Sequence, residues 1–344
     1  MSNPEVDSRA RNRIAALAAR VLTGGDLTRA EALELFRLTN RADIYELIAW
    51  ANRIREHFKG NGVHLCSIVN LKAGGCPENC KFCAQSAHYQ TSAPRHGLLA
   101  TENILAAASE AARHGATGFG LVAAWRGLDE GPLLDVVCDR LRALKGQALV
   151  RPDASLGMIR NPTVARQLKD AGCECYNHNL ETSRRFFPRI CDSHSYDDRL
   201  QTLHHLRSAG IKICSGGILG LGESREDRCD LALALKQAGA DSIPINILTP
   251  IPGTPLQQQS PMAPLEILHS IACFRFVLPT REILVAGGRA VNLRDLQSLI
   301  FMAGASALMI GNYLTTPNQP PTRDLQMLQD LEFEVRRDYT RQST

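Results

Sequence analysis

Three cysteines are the residues of this sequence best suited to metal chemistry. Cys76, Cys80 and Cys83 form a C-x3-C-x2-C pattern behind two glycines. Thiolates are preferred ligands of iron–sulfur clusters and of zinc, and a structural site normally has four protein ligands. The pattern therefore predicts a four-iron cube with one iron left open to a small molecule. The alternative is a zinc site with a fourth ligand elsewhere, such as His88 or His96.

The composition limits the compartment and the partners. Eleven cysteines, an odd number, argue against a disulfide framework and predict a reducing compartment, by default the cytoplasm. A net charge of +4 without a basic stripe gives no reason to expect a nucleic-acid partner. No apolar run reaches the roughly 18 residues of a membrane span, so no membrane association is expected.

Eight apolar, β-branched runs alternate with helical patterns along the chain. They are residues 63–70, 117–123, 147–154, 173–177, 211–216, 241–248, 282–287 and 306–312. Strands that alternate with helices indicate parallel pairing through crossovers. We therefore predict an α/β fold, a closed (β/α)8 barrel of the TIM type, with an open doubly wound sheet as the alternative.

The chain divides into three predicted parts. Residues 1–60 form an N-terminal helical extension, in which Thr28 to Glu31 has the pattern of a capping box. Residues 61–325 form the barrel, and the polar residues 326–344 form a C-terminal tail.

Side chains that suit a binding site follow several of the predicted strands. Active sites of such barrels lie at the C-terminal ends of the strands, and the cysteine loop directly follows the first strand. The other residues in such positions are Trp125, Asp153, Asn177, Asn179, Glu181, Cys214, Asn246 and Asn312. Buried asparagine side chains are costly unless hydrogen-bonded, so the group predicts a ligand with many polar edges. Alternatively, each side chain only stabilises its own loop.

The cysteine spacing resembles the signature of radical S-adenosylmethionine (SAM) enzymes. The resemblance implies that Cys76, Cys80 and Cys83 hold a 4Fe-4S cluster. It also implies that SAM binds the open iron through its amino and carboxylate groups.

Further motifs resemble the biotin synthase family over roughly residues 60–325. They are Tyr176–Thr182, Cys214–Gly217, Gly220–Glu223, Pro244–Asn246, Ala286–Arg289 and Phe301–Ala305. The resemblance implies a homodimeric sulfur-insertion enzyme that converts dethiobiotin to biotin. In that family an electron, from a donor such as flavodoxin or ferredoxin, cleaves SAM to a 5′-deoxyadenosyl radical. The radical takes hydrogens from unactivated carbons, and an auxiliary iron–sulfur cluster, 2Fe-2S in the family, supplies the sulfur.

The same resemblance assigns roles by position. Asn179 and Glu181 would contact SAM, and Asn177 and Asn246 would hydrogen-bond the ureido ring of dethiobiotin. Trp125 would line the SAM side of the site, or alternatively only pack at the rim of the barrel.

The sequence departs from the better-known form of the family around both ligands. On the SAM side, Glu181 replaces a common aspartate, and His194 stands where an arginine is expected. The family binds its auxiliary cluster with three cysteines and one arginine.

Of that auxiliary ligand set only Cys214 is retained, and Gly120, Asp153 and Leu284 occupy the other positions. Glycine and leucine cannot ligate iron, so that ligand set cannot form here.

An alternative auxiliary site is predicted from the barrel geometry. Cys66 lies on the first strand and Cys214 on the fifth, and these strands face each other across the interior. We hypothesise an auxiliary iron–sulfur cluster bound by Cys66 and Cys214 and completed by Asp153 or an external sulfide. The hypothesis does not specify the number of iron atoms in this cluster. The alternative is that Cys66 is a small buried core residue.

Two rival functions remain open at this point. One is another small-molecule radical SAM enzyme on this barrel, such as a hydrogenase maturase or a carbon-skeleton mutase. The other is a non-enzymatic iron–sulfur or zinc module, which predicts four thiolates at one site and no SAM binding.

Overall fold

The computed structural model describes residues 4–316 and 318–336, and of residues 4–8 only the backbone. The strands are β1 (Gly62–Lys72), β2 (Gly118–Ala123), β3 (Arg151–Ser155), β4 (Cys175–Asn177), β5 (Lys212–Cys214), β6 (Gly217–Leu219), β7 (Ser242–Ile247), β8 (Glu282–Val285), β9 (Ala307–Met309) and β10 (Glu334–Val335). The α-helices are α1 (Pro4–Leu22), α2 (Arg29–Phe36), α3 (Arg41–Lys59), α4 (Thr101–Arg113), α5 (Pro132–Gln147), α6 (Pro162–Asp170), α7 (Tyr196–Ser208), α8 (Arg225–Gln237), α9 (Pro264–Val277), α10 (Arg289–Leu293), α11 (Leu299–Met302) and α12 (Pro321–Asp330).

Eight of the strands form a closed parallel barrel. Strands β1 to β5, then β7, β8 and β9, pair in sequence, and β9 pairs back with β1. The predicted (β/α)8 barrel is confirmed, and the open-sheet alternative is wrong because the ring has no edge strands. The third strand begins at Arg151, later than predicted, since Gln147 still belongs to α5 and Ala148 ends that helix in a left-handed conformation.

The N-terminal helices cover one side of the barrel. Helix α3 packs on α9, and α2 packs on α8 and α9, with the rings of Phe36 and Phe274 in edge contact at 6.1 Å. The predicted capping box of α2 is present at Thr28 and Glu31. In residues 4–316 and 318–336, no helix is both long and apolar enough to cross a membrane.

The C-terminal part differs from a simple tail. The predicted boundary at residue 326 falls inside α12, and the two-residue strand β10 pairs with the start of β1. The remainder of the predicted tail, 337–344, lies outside the described residues. Both boundaries between the three predicted parts therefore stay predictions.

The fifth barrel strand is interrupted next to the site. β5 ends at Cys214, and β6 resumes at Gly217 and pairs with β7. At Gly216 a Cβ atom would overlap the carbonyl oxygen of Pro244, so only glycine allows the two strands to approach this closely. The break leaves room for Glu181, whose backbone bridges to Gly217.

We expect Gly216→Ala to destabilise the barrel. Overpacking typically costs about 1–3 kcal/mol, so the thermal midpoint Tm should fall by several degrees. Gly146→Ala is the matched control, because Gly146 is an exposed residue of α5 with open space around it, and this substitution should leave Tm unchanged or raise it. Equal Tm values for Gly216→Ala and the wild type would contradict the close approach.

Candidate active site

The cysteine loop is fixed at the C-terminal end of β1. A register irregularity between Asn70 and Lys72 ends the regular pairing of β1 with β2, and two glycines with left-handed φ, Gly74 and Gly75, turn the chain toward the mouth. The backbone N–H of Cys76 then donates to the carbonyl of Gln85 at 2.9 Å. The loop is therefore held by the backbone, independently of any metal.

All three loop thiols line one cavity at the mouth of the barrel. Burial raises the pKa of Cys76 and raises that of Cys83 to about 11. Buried thiols of this kind lose their protons to a metal ion, because coordination stabilises the thiolate. The donor set thus fits an iron–sulfur cluster.

Glu78, between the first two cysteines, braces the loop against the segment that precedes α7. One of its oxygens accepts from Arg126 Nε at 2.5 Å, and the other contacts His194 Nδ1 at 2.6 Å. Burial raises the pKa of Glu78, but hydrogen bonds from Ser193 and His194 outweigh this effect and lower it. Glu78 is therefore ionised, and its carboxylate holds His194 at the cavity wall.

The structure brings the predicted site residues together in two connected regions. The mouth cavity has a volume of about 290 Å³, and Cys76, Cys80, Cys83, Trp125, Asn177, Asn179, Glu181, His194 and Asn246 line it. Cys66, Asp153 and Cys214 line a deeper cavity of about 90 Å³ inside the barrel. Asn177, Asn179, Asn246 and Tyr313 border both cavities, so a small molecule in the mouth lies next to the deeper site.

Glu181 is held in a strained and buried position. Its φ of 68° is left-handed, which for a residue other than glycine costs on the order of 1–3 kcal/mol. Burial raises the pKa of Glu181, although Arg199 lowers it in part. Its Oε2 atom is buried and accepts no hydrogen bond from any described residue. This oxygen is available to a cationic ligand group.

Arg199 is a site residue that the sequence reasoning missed. From α7 it donates to the Asn179 carbonyl at 2.6 Å and to His194 Nε2 at 3.0 Å, and it lies 3.5 Å from Glu181 Oε1. Arg199 therefore brings an arginine to the SAM side of the site, where the sequence had indicated that His194 replaces an arginine. The sequence could have indicated this role, because Arg199 lies only five residues after His194 and helix α7 begins between the two.

The asparagines stabilise the backbone as well as lining the cavities. Asn246 Oδ1 accepts from Gly287 N at 3.0 Å, and Asn179 Oδ1 accepts from Gly216 N at 3.2 Å. Asn177 Nδ2 donates to Asn179 Oδ1 at 3.1 Å. Asn179 and Asn246 therefore hold the backbone of neighbouring strand ends rather than only their own loops, and both also line the cavity walls.

Trp125 forms part of the mouth cavity wall. Its indole N–H donates to the carbonyl of Leu156 at 2.6 Å, which fixes the orientation of the ring.

The two histidines considered as a fourth zinc ligand lie elsewhere. The ring nitrogens of His88 and His96 contact the backbone carbonyls of Pro77 and Gly97. Neither histidine lines the cavity of the loop thiols.

The deeper cavity contains a third thiol, Cys175, which the sequence reasoning did not assign to the site. Cys175 lines this cavity with Cys66 and Cys214. A hydrogen bond between Cys175 and Cys214 raises the pKa of Cys175 and lowers that of Cys214. Strand alternation places Cys175 on the same face as Asn177, and this signal could have identified it.

Asp153 is less available as a metal ligand than predicted. Both of its oxygens accept from Arg151, each at 2.6 Å, in a buried bidentate pair.

Gly120, another position of the family's auxiliary ligand set, has little free space beside it. A Cβ atom there would lie 3.1 Å from the side chain of Ile68.

Family comparisons agree with this arrangement. The radical SAM superfamily model matches residues 71–249, and that of the biotin and thiamin synthesis associated domain matches residues 244–334. A biotin synthase of Geotalea uraniireducens is 48% identical over 94% of this chain and 97% of its own length. A biotin synthase of Geobacter sulfurreducens is 49% identical over 93% and 97% of the two chains.

Solved structures with the same fold are more distant in sequence. Methylornithine synthase superposes with a TM-score of 0.80 at 18% identity, over 93% of this chain and 97% of that one. The FeFe-hydrogenase maturase of Carboxydothermus hydrogenoformans gives 0.77 at 16% identity, over 96% and 80%. At such identities the likeness extends to the fold alone.

The barrel, the three-thiol loop at its mouth and the match over residues 71–249 define a radical SAM enzyme. Within this class, the sequence identity of 48% and 49% to two biotin synthases, over 94% and 93% of this chain, identifies one family. The chain belongs to the biotin synthase family.

The raised pKa of Glu181 predicts a specific pH dependence of stability. The folded chain binds this proton more tightly than the unfolded chain, so the contribution is present below the ordinary carboxyl pKa of about 4.3 and is lost as the pH rises through the folded value. Glu181→Gln stays neutral, so its Tm relative to the wild type should increase from about pH 4 to about pH 8. Glu56→Gln, on the exposed face of α3, serves as the control. A difference from the wild type that does not change with pH would refute the assignment.

Proposed function

We propose that this chain converts dethiobiotin to biotin by radical SAM sulfur insertion. The observation that carries the proposal is that two thiol-lined cavities lie next to each other in one barrel and share wall residues. The outer cavity has the three loop cysteines, and the inner one has Cys66, Cys175 and Cys214. Sulfur insertion needs a hydrogen-abstracting centre and a sulfur source on either side of one substrate, and asparagine side chains lie between the two cavities.

Cys76, Cys80 and Cys83 would hold the 4Fe-4S cluster. The unpartnered Oε2 of Glu181 suits the SAM ammonium group, and Arg199 supplies positive charge for the carboxylate. Asn179, Trp125 and His194 complete the SAM side. With SAM bound, such a cluster would supply the electron for reductive cleavage of SAM.

The protein's own contribution is orientation and exclusion of water. A C–H bond on a saturated carbon has no usable acidity, so no side chain can act as its general base, and this chemistry would have to come from the bound cofactor. Asn177 and Asn246 lie between the two cavities and would hydrogen-bond the ureido group of dethiobiotin. This would hold the reacting carbons between the mouth and the deeper site.

For the sulfur source we propose an auxiliary iron–sulfur cluster bound by Cys66, Cys175 and Cys214. Three thiols around one buried cavity are a donor set that suits such a cluster. Asp153 is the weaker ligand candidate, because Arg151 engages both of its oxygens. The family's own ligand set of three cysteines and one arginine does not fit these residues.

The remaining partners are proposed from the family resemblance and the thiol content. All eleven cysteines are free, which supports a reducing compartment such as the cytoplasm. A flavodoxin or ferredoxin as electron donor and a homodimeric assembly stay predictions.

The function is tested by incubating anaerobically reconstituted protein with SAM, a reductant and dethiobiotin. We expect biotin and 5′-deoxyadenosine from the wild type. Cys80→Ala should lose SAM cleavage, because two thiolates are too few to retain the cluster, whereas Cys138→Ala, in a buried position on α5, should remain active. SAM cleavage without biotin would instead support the maturase-like rival.

The auxiliary site is tested by Mössbauer spectroscopy and iron counts on Cys66→Ser, Cys175→Ser and Cys214→Ser. Each variant should lose iron from the deeper site and keep the SAM-cluster signal. Cys173→Ser is the matched control, since Cys173 is a buried thiol of the hydrophobic core that does not line the deeper cavity. If Cys66→Ser retains full iron and sulfide and still makes biotin, Cys66 only fills space.

A further inference from the structure

A second metal-binding arrangement exists beside the SAM-cluster loop. Among the described residues, three potential ligands, Cys80, Cys191 and His194, have donor atoms that all lie within 4.8 Å of one another. Cys191 is 2% exposed and follows the short 3₁₀ turn at Phe187–Arg189. It belongs neither to the loop nor to the walls of either cavity.

The distances match a single tetrahedral ion rather than a cluster. Two thiolates with Zn–S bonds of about 2.3 Å at a tetrahedral centre lie about 3.8 Å apart. The Cys80 Sγ to Cys191 Sγ distance is 3.7 Å. Cys191 Sγ also lies 3.3 Å and 3.8 Å from the two ring nitrogens of His194, in the range expected between a sulfur and a nitrogen ligand of one such ion.

The surroundings orient His194 as a metal ligand. Glu78 Oε2 contacts Nδ1 at 2.6 Å, which leaves the Nε2 lone pair as the ligand, as in carboxylate–histidine–zinc arrangements. Arg199 Nε donates to this Nε2 at 3.0 Å. A cation must therefore displace the Arg199 guanidinium, and water can complete the coordination.

We propose that the cluster-free chain binds one soft divalent cation, such as Zn²⁺, through Cys80, Cys191 and His194. Cys80 is shared with the SAM cluster, so the two metal states exclude each other. The exclusion, but not the cation site itself, rests on the role of Cys80 proposed above. The cation state would protect the loop thiol and would delay cluster assembly until it is removed.

The test is an anaerobic titration of the cluster-free, full-length chain with Co²⁺, followed by competition with Zn²⁺. We expect one equivalent to give thiolate-to-cobalt charge-transfer absorption and the visible bands of tetrahedral Co²⁺. Loss of a residue that only hydrogen-bonds a metal ligand changes metal affinity about 10- to 100-fold. Cys191→Ser removes a ligand itself, so it should weaken Co²⁺ binding at least about tenfold. Cys76→Ser removes one thiol of the loop but none of the proposed site, and it should bind Co²⁺ like the wild type. Cys138→Ser controls for the loss of any buried thiol.

A second measurement separates the site from folding defects. Cys191→Ser keeps all three loop cysteines, so it should take up the same iron as the wild type on reconstitution. Zn²⁺ added first should slow cluster assembly in the wild type and in Cys138→Ser, and much less in Cys191→Ser. If Cys191→Ser binds Co²⁺ like the wild type while Cys76→Ser does not, the loop alone holds the cation and the proposal is wrong. Absence of tetrahedral Co²⁺ bands in the wild type would overturn it equally.

Discussion

The site depends on one constraint, which is that three thiols of one short loop must line the same cavity at the barrel mouth, where we propose that they would hold the SAM cluster. The end of β1 provides this, because the irregularity at Asn70–Lys72 and the left-handed glycines Gly74 and Gly75 direct the loop across the opening. The backbone bonds of Cys76 to Gln85 and Ala87 then fix the loop without metal. Every other residue of the site is placed relative to these three sulfurs.

Most of the charged groups around the loop are buried, with Arg126 exposed, and they pair with one another. Unpaired buried charges are strongly destabilising, and pairing reduces that cost without making it a net gain. Glu78 contacts Arg126 and His194, and Arg199 contacts His194 and Glu181. Within this network of described residues, Oε2 of Glu181 is the buried oxygen without a hydrogen-bond partner. A ligand ammonium there would complete the network, and this favours SAM over a neutral ligand.

The barrel and the SAM-cluster loop could be predicted from the sequence, because periodic apolar runs and closely spaced cysteines are local signals. The partners of these residues were harder to predict. Arg199 reaches the site only because the first turn of α7 lies beside the mouth cavity, and Cys191 meets Cys80 across 111 positions of sequence. Cys175 was visible through strand alternation with Asn177 but was not assigned. Asp153 looked like a free oxygen donor, and its pairing with Arg151 became visible only in the structure.

The central claim is that the cluster leaves one iron open and that SAM binds it directly. Electron–nuclear double resonance on the reduced, reconstituted protein tests this with SAM that is isotopically labelled at its amino nitrogen. We predict a hyperfine coupling between the label and the cluster spin, which disappears when unlabelled SAM is used. A cluster signal without any coupling to the label, at SAM concentrations that saturate binding, would contradict the account.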